Sequence, residues 1–115
     1  MAIDRSSQDI LTVELPPEPE LGIELETVLN IVRDGAGCDV VVDFSSADIV
    51  TSSNISKLLK LYKLLGELGH RLVLCSVPSP IEDIFKIVGL NVVFEVTSDK
   101  SAAIAFIKNL QPAKK

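Results

Sequence analysis

The run Val40-Val41-Val42-Asp43-Phe44 leads through Ser45-Ser46-Ala47 into Asp48-Ile49-Val50-Thr51-Ser52-Ser53-Asn54-Ile55. An apolar run broken only by Asp43 reads as a strand buried on both faces. The polar loop behind it delivers consecutive hydroxyls to the start of a helix. From about Ser52 to Leu68 the apolar positions Ile55, Leu58, Leu59, Tyr62 and Leu65 recur at helical spacing. Gly69 stops that helix, and Arg71-Leu72-Val73-Leu74-Cys75 reads as a second buried strand.

The same alternation continues outward in both directions. After a loop at 76–80, Pro80 suits the first turn of a helix over Pro80–Val88 with Ile81, Ile84, Phe85 and Val88 inward, ended by Gly89. Val92–Val96 reads as a strand. Ser98 or Asp99 then caps a helix over Asp99–Leu110 through Ala103, Ile104 and Ile107, with Pro112 closing it. On the N-terminal side, Ile10–Leu15 has strand character, and Pro16, Pro17 and Pro19 impose an extended loop. Leu21, Leu25, Val28, Leu29 and Val32 mark a helix over Leu21–Arg33, with Glu20, Glu24 and Glu26 near its positive end and Gly35 and Gly37 past its end. Buried strands alternating with short helices predict an α/β domain: a mixed sheet of four or five strands with four helices. A fifth strand, if present, belongs near Met1–Asp9 or around the proline loop. No repeat or linker divides the chain. A single domain over 1–115 is expected, with an ordered core at 10–110 and flexible ends at 1–8 and 112–115.

The 115 residues carry a net charge of −5 and a pI near 4.7. Nearly half are apolar but few are aromatic, so the core must be built from Leu, Ile and Val. An acidic domain is poorly suited to nucleic acid, whose phosphates demand clustered Lys and Arg. Lys57, Lys60 and Lys63 recur every three residues and read as a solvated helix face. Cys38 and Cys75 form no CxxC pair and fit unreactive thiols in a reducing compartment. His70 is the single histidine, which rules out a histidine-based metal cluster. No signal-peptide pattern is visible in the N-terminal residues, and no apolar run approaches the roughly 20 residues that span a bilayer. A cytoplasmic protein without direct membrane insertion is expected.

Enzyme signatures are missing. There is no phosphate-binding loop, dinucleotide turn or nucleophile elbow, and His70 alone could serve a triad. Gly35-Ala36-Gly37 follows a helix and precedes a strand, the reverse of the order a phosphate cradle needs. Asp43 and Asp48 flank a loop but would offer a cation too few oxygens. No catalytic residue and no cofactor is assigned.

The hydroxyls Ser45, Ser46, Thr51, Ser52, Ser53 and Ser56 remain. A hydroxyl at a helix N-terminus can cap it by accepting a backbone N–H, and Thr51, Ser52 and Ser53 all qualify. It can also carry a phosphate, which the free N–H groups and the helix dipole stabilise.

The segment from Asp43 to Gly69 resembles the STAS domain of bacterial anti-sigma factor antagonists and sulphate-transporter tails. That family pattern is an apolar strand ending in Asp, a short loop with an acid, then Asp-Ser-Ser-Gly-Leu opening a helix. Here the strand ends at Asp43, the loop acid is Asp48, and Thr51-Ser52-Ser53-Asn54-Ile55 opens the helix. Gly69-His70-Arg71-Leu72-Val73-Leu74-Cys75, Val88-Gly89-Leu90 and the closing helix with Ala102-Ala103-Ile104 follow the pattern in order, so that the likeness covers roughly Ile10 to Leu110. Thr51 stands where the family has Asp, and Asn54 where it has Gly.

The resemblance implies a switch. Ser52 occupies the position of the regulatory phosphorylation site, with Thr51 and Ser53 as its neighbouring hydroxyls. Asp43, Ser45, Ser46, Asp48, Thr51, Ser52, Ser53 and Asn54 then form the partner-binding face. The implied partner is an anti-sigma factor, a serine kinase of the histidine-kinase-like ATPase type, bound while Ser52 is unphosphorylated and released on phosphorylation. A second reading is a STAS subunit of an ABC-type lipid-transport complex that works without phosphate. A small enzyme or ligand carrier is a third.

Overall fold

A computed structural model of the chain describes residues 3–7, 10–35 and 37–110. The elements run β1 (Ile3–Ser7), β2 (Ile10–Glu14), α1 (Glu20–Arg33), β3 (Asp39–Asp43), α2 (Ser52–Glu67), β4 (Leu72–Cys75), α3 (Ser79–Ile87), β5 (Glu95–Thr97) and α4 (Lys100–Leu110). The strands lie side by side in sequence order, with β1 antiparallel to β2 and every other pair parallel. β3 is central and all five of its residues are buried, as an apolar run requires when both sheet faces are covered.

This strand order decides where the helices go. From β2 to β5 each crossover advances the chain by one strand in the same direction. Right-handed crossovers of that kind all pass over the same face. Accordingly α1, α2 and α3 share one face, where Leu25, Leu29, Leu58, Leu61, Ile81 and Phe85 belong to one core with Leu11, Val13, Val40, Val42, Leu72 and Leu74. α4 follows the last strand and bridges no pair, so it is free to cover the other face. There Ala103 and Ile107 pack with Ile10, Val41, Val73 and Cys75. Alternate strand residues supply the two cores, as the period-2 geometry dictates. Each fully buried Leu, Ile or Phe contributes about 1.5–3 kcal/mol against exposure.

The α1 stripe is buried as its spacing predicts. The fifth strand left open by the sequence is β1, within 1–9. The expectation of flexible ends falls partly outside the described residues, at 1, 2, 8 and 112–115, whereas Ile3–Ser7 pair with β2.

Three expectations change. The strand expected at Val92–Val96 is β5 at Glu95–Thr97. Leu90–Val92 instead winds into a 3-10 turn, in which Leu90 O accepts the N–H groups of Val93 and Phe94. In α2 the buried positions are Asn54, Leu58, Leu61 and Leu65, while Leu59 and Tyr62 of the expected stripe are exposed at 36% and 42%. Tyr62 lies instead edge-on to Phe94, with ring centroids 5.9 Å apart. In α3, Val88 falls past the helix end and is exposed. The α2 shift has a packing cause: apolar side chains cover more of its circumference than one neighbour can bury, and packing chose among them.

Candidate functional site at the first turn of α2

The loop between β3 and α2 is held at both ends. Asp43 Oδ1 accepts the Ser45 N–H at 2.8 Å, and Phe44 O accepts the Ala47 N–H at 3.0 Å, which turns the chain off the sheet. Ala47 and Val50 are buried and anchor the loop against the core. Ser46 Oγ donates to Glu14 Oε2 at 2.9 Å and ties the loop to the end of β2. The residues between these anchors, Ser45, Ser46, Asp48 and Ile49, face solvent.

Of the three candidate caps, the structure selects Thr51. Its backbone is extended (φ −90°, ψ 163°), and its Oγ1 accepts the Asn54 N–H at 3.2 Å. Ser52 is therefore the first residue of α2 and Ser53 the second, both exposed. Because Thr51 takes the capping role, the Ser52 hydroxyl is not needed for it. The first-turn N–H groups and the partial positive charge of a 16-residue helix lie beside that hydroxyl.

Asn54 turns the other way. Its side chain is buried, and its Nδ2 donates to Glu18 Oε2 in the proline loop. Asp43 is buried as well. Of the eight residues expected on the partner face, six line one exposed rim: Ser45, Ser46, Asp48, Thr51, Ser52 and Ser53. Asp43 and Asn54 support it from beneath.

Two residues join the rim that the motif does not name. Ile49 and Ile23 are exposed at 55% and 64%. Ile23 lines a shallow groove of about 420 Å³ between the starts of α1 and α2, together with Thr51 and Ser53. Glu18, Glu26 and Lys57 line the same groove, and Asp48 is exposed nearby in the chain. Ile23 was detectable as an apolar residue off the α1 stripe. Ile49 gave no comparable signal, since Val50 beside it is equally apolar and is buried.

Other candidates are structural. Cys38 and Cys75 are free and buried. Burial, with Asp43 as the next contributor, pushes the Cys75 thiol up to about 11, so it stays protonated at neutral pH. His70 Nδ1 lies 3.5 Å from Asp39 Oδ1, which also accepts the Arg71 N–H. Among the described residues, no group of three or more His, Cys, Asp or Glu is placed to hold a metal ion, and no helix is long and apolar enough to cross a membrane.

A family model described as the STAS domain matches residues 25–103. Solved structures share the fold at low identity. An anti-sigma-factor antagonist (STAS) domain protein from Planctomyces limnophilus is 18% identical, with a TM-score of 0.79 over 92% of this chain and 96% of that one. RsbS of Moorella thermoacetica carrying a Ser-to-Glu substitution is 20% identical, with a TM-score of 0.76 over 96% and 98%. The phosphorylated form of the Bacillus cell-fate determinant SpoIIAA is 13% identical, with a TM-score of 0.70 over 90% and 96%. No curated protein matches the chain in sequence.

Proposed function

The chain belongs to the STAS domain family, and on that premise we propose that it is a phospho-switched protein-binding regulator of the anti-sigma factor antagonist type. Its partner is an anti-sigma factor, a serine kinase of the histidine-kinase-like ATPase type. That partner docks on the rim around Ser52 while the hydroxyl is free and leaves when it is phosphorylated. The protein acts by binding rather than by catalysis, and requires no cofactor. One observation carries this reading: Ser52 is exposed at the first position of α2, uncommitted to capping because Thr51 supplies the cap.

The physics of the switch follows from that position. A phosphate adds about −1.5 to −2 charges at neutral pH. At the head of α2 this charge is stabilised by the helix dipole, so modification leaves the fold intact. The rim already carries Asp48, Glu18 and Glu26 against Lys57. A phosphate there raises the cost of burying the rim in an interface, because a desolvated dianion needs compensating donors that a hydroxyl does not. Thr51, in place of the family Asp, keeps the cap and removes one further carboxylate from the acceptor's surroundings.

The test is affinity capture with the full chain as bait, followed by binding of the recovered partner to Ser52→Ala and Ser52→Glu. Recovery of a kinase-like ATPase that binds Ser52→Ala as wild type and Ser52→Glu at least tenfold more weakly supports the switch. Equal binding by both variants refutes it. The buried Asn54 and the absent acid at 51 favour a second reading, a STAS subunit of an ABC-type transport complex. Recovery of a transport ATPase or permease, insensitive to the charge at Ser52, would establish that reading.

A further inference from the structure

A second concave site lies at the opposite end of α2. β4 begins at Leu72, but its ladder with β5 starts at Val73↔Glu95, because the chain before Glu95 is wound into the 3-10 turn. This leaves a notch in the sheet edge, a cavity of about 540 Å³. Its walls come from both layers of the fold. Tyr62 and Leu72 line it from the α2 side, and Phe106 and Val73 from the α4 side. That volume falls in the range of small-molecule pockets, which pair apolar walls with a few polar groups.

The walls are preorganised. Tyr62 is held edge-on to Phe94 at an interplanar angle of 86°, and Phe94 is itself tilted against Phe85 in the core. Phe106 is packed against the α4-side core. An entering ring thus meets two aromatic side chains, Tyr62 and Phe106, that need little ordering.

The polar groups at the mouth define the ligand. Lys63, Arg71 and His70 line the notch with Glu67 and Glu95. His70 is engaged with Asp39, which also takes the backbone N–H of Arg71. Among the described residues, Lys63 and Arg71 have no carboxylate within ion-pair distance, so both cationic heads are available. Glu67 and Glu95 would repel a ligand bearing several negative charges. We propose that this notch binds a small aromatic monoanion, a carboxylate or sulfonate, with its ring between Tyr62 and Phe106 and its charge against Lys63 and Arg71. This site is independent of the Ser52 reading. Along α2, at 1.5 Å per residue, Tyr62 lies about 15 Å and Glu67 about 22 Å from Ser52.

The test titrates anilinonaphthalene sulfonate, an aromatic monoanion, into the full chain with amide-resolved NMR. The expected result is saturable shifts centred on Gly66, His70, Val73 and Glu95. The double variant Lys63→Glu/Arg71→Glu should bind about tenfold more weakly or worse, as loss of charge-assisted contacts implies. Both positions are exposed, so the fold survives and its unperturbed spectrum serves as the control. The uncharged analogue phenylnaphthylamine should bind more weakly than the sulfonate. No saturable shift, shifts centred on the exposed apolar turn at Ile87 and Val92, or equal affinity for the double variant or the neutral analogue would each overturn the proposal.

Discussion

Gly22 of α1 faces Asn54 of α2: a methyl group at Gly22 would sit 3.0 Å from Asn54 Oδ1. The two helices therefore meet through a glycine and a buried amide, two residues along α2 from Ser52. Gly22→Ala would ordinarily stabilise a helix interior by roughly 0.5–1 kcal/mol. Here the gain should vanish or reverse, because Asn54 must give way. Asn54→Gly should cost about 1–2 kcal/mol, through lost hydrogen bonding and helix propensity. In the double variant Gly22→Ala should recover its gain, a coupling that a denaturant-unfolding double-mutant cycle would detect. Strict additivity would mean that the contact does not constrain α1 against α2.

Thr51→Ala removes the cap of α2 and should cost about 1 kcal/mol, a fall in Tm of roughly 4 °C for a domain of this size. Thr51→Asp keeps an acceptor and adds a charge at the positive helix end, so it should match or exceed wild-type stability. Scanning calorimetry of the two variants separates the hydroxyl's capping role from any effect on partner binding.

Ser52→Glu places a carboxylate at the first position of α2, where the dipole favours it by about 0.3–1 kcal/mol. Its unfolding midpoint should equal or exceed that of Ser52→Ala. Any binding loss in Ser52→Glu then reports the interface. A destabilised Ser52→Glu would instead show that the residue is strained or engaged in the folded chain.

Ile23→Asp and Ile49→Asp alter exposed apolar residues and should shift stability by no more than about 0.5 kcal/mol. Each should weaken partner binding at least tenfold in the same capture assay used for Ser52, since exposed apolar residues beside a polar rim supply desolvation energy. Unchanged binding in both would move the interface away from the α1–α2 groove.

Burial holds the Cys75 thiol neutral up to about 11, whereas an unfolded cysteine ionises near ~8.5. The raised folded-state value gives stability that is complete below the unfolded value and is lost as pH rises through this window, because only the unfolded chain then gains by ionising. Relative to wild type, Cys75→Ala should be destabilised at neutral pH by the cavity it leaves. Its stability should also decline less between the two pKa values. Parallel pH profiles for the two proteins would show that Cys75 does not contribute to the alkaline decline.

Much of the architecture was legible in the chain. The α1 stripe was legible because Leu21, Leu25, Val28, Leu29 and Val32 share one arc, and the run at 40–44 announced a strand buried on both faces because nothing polar interrupts it before Asp43. Ser52 was legible through its order in the strand–loop–helix motif. Ile49 was not, since an isolated residue in a polar loop carries no period from which to read its direction; nor was the inward turn of Asn54, since a polar residue in the first turn of a helix does not mark a buried face.

Local pattern alone determined that the chain is an α/β domain, where its four helices lie to within a residue or two, and that a row of hydroxyls stands at the head of α2. Tertiary structure alone decided which face of α2 is buried and where β5 begins. It also made the notch between Tyr62 and Phe106. The reason is one of range. Periodicity and capping act between residues a few positions apart, so they are written in the sequence itself. The choice between Leu59 and Leu61, or between a strand and a 3-10 turn at Leu90–Val92, is made by surfaces brought together from distant parts of the chain.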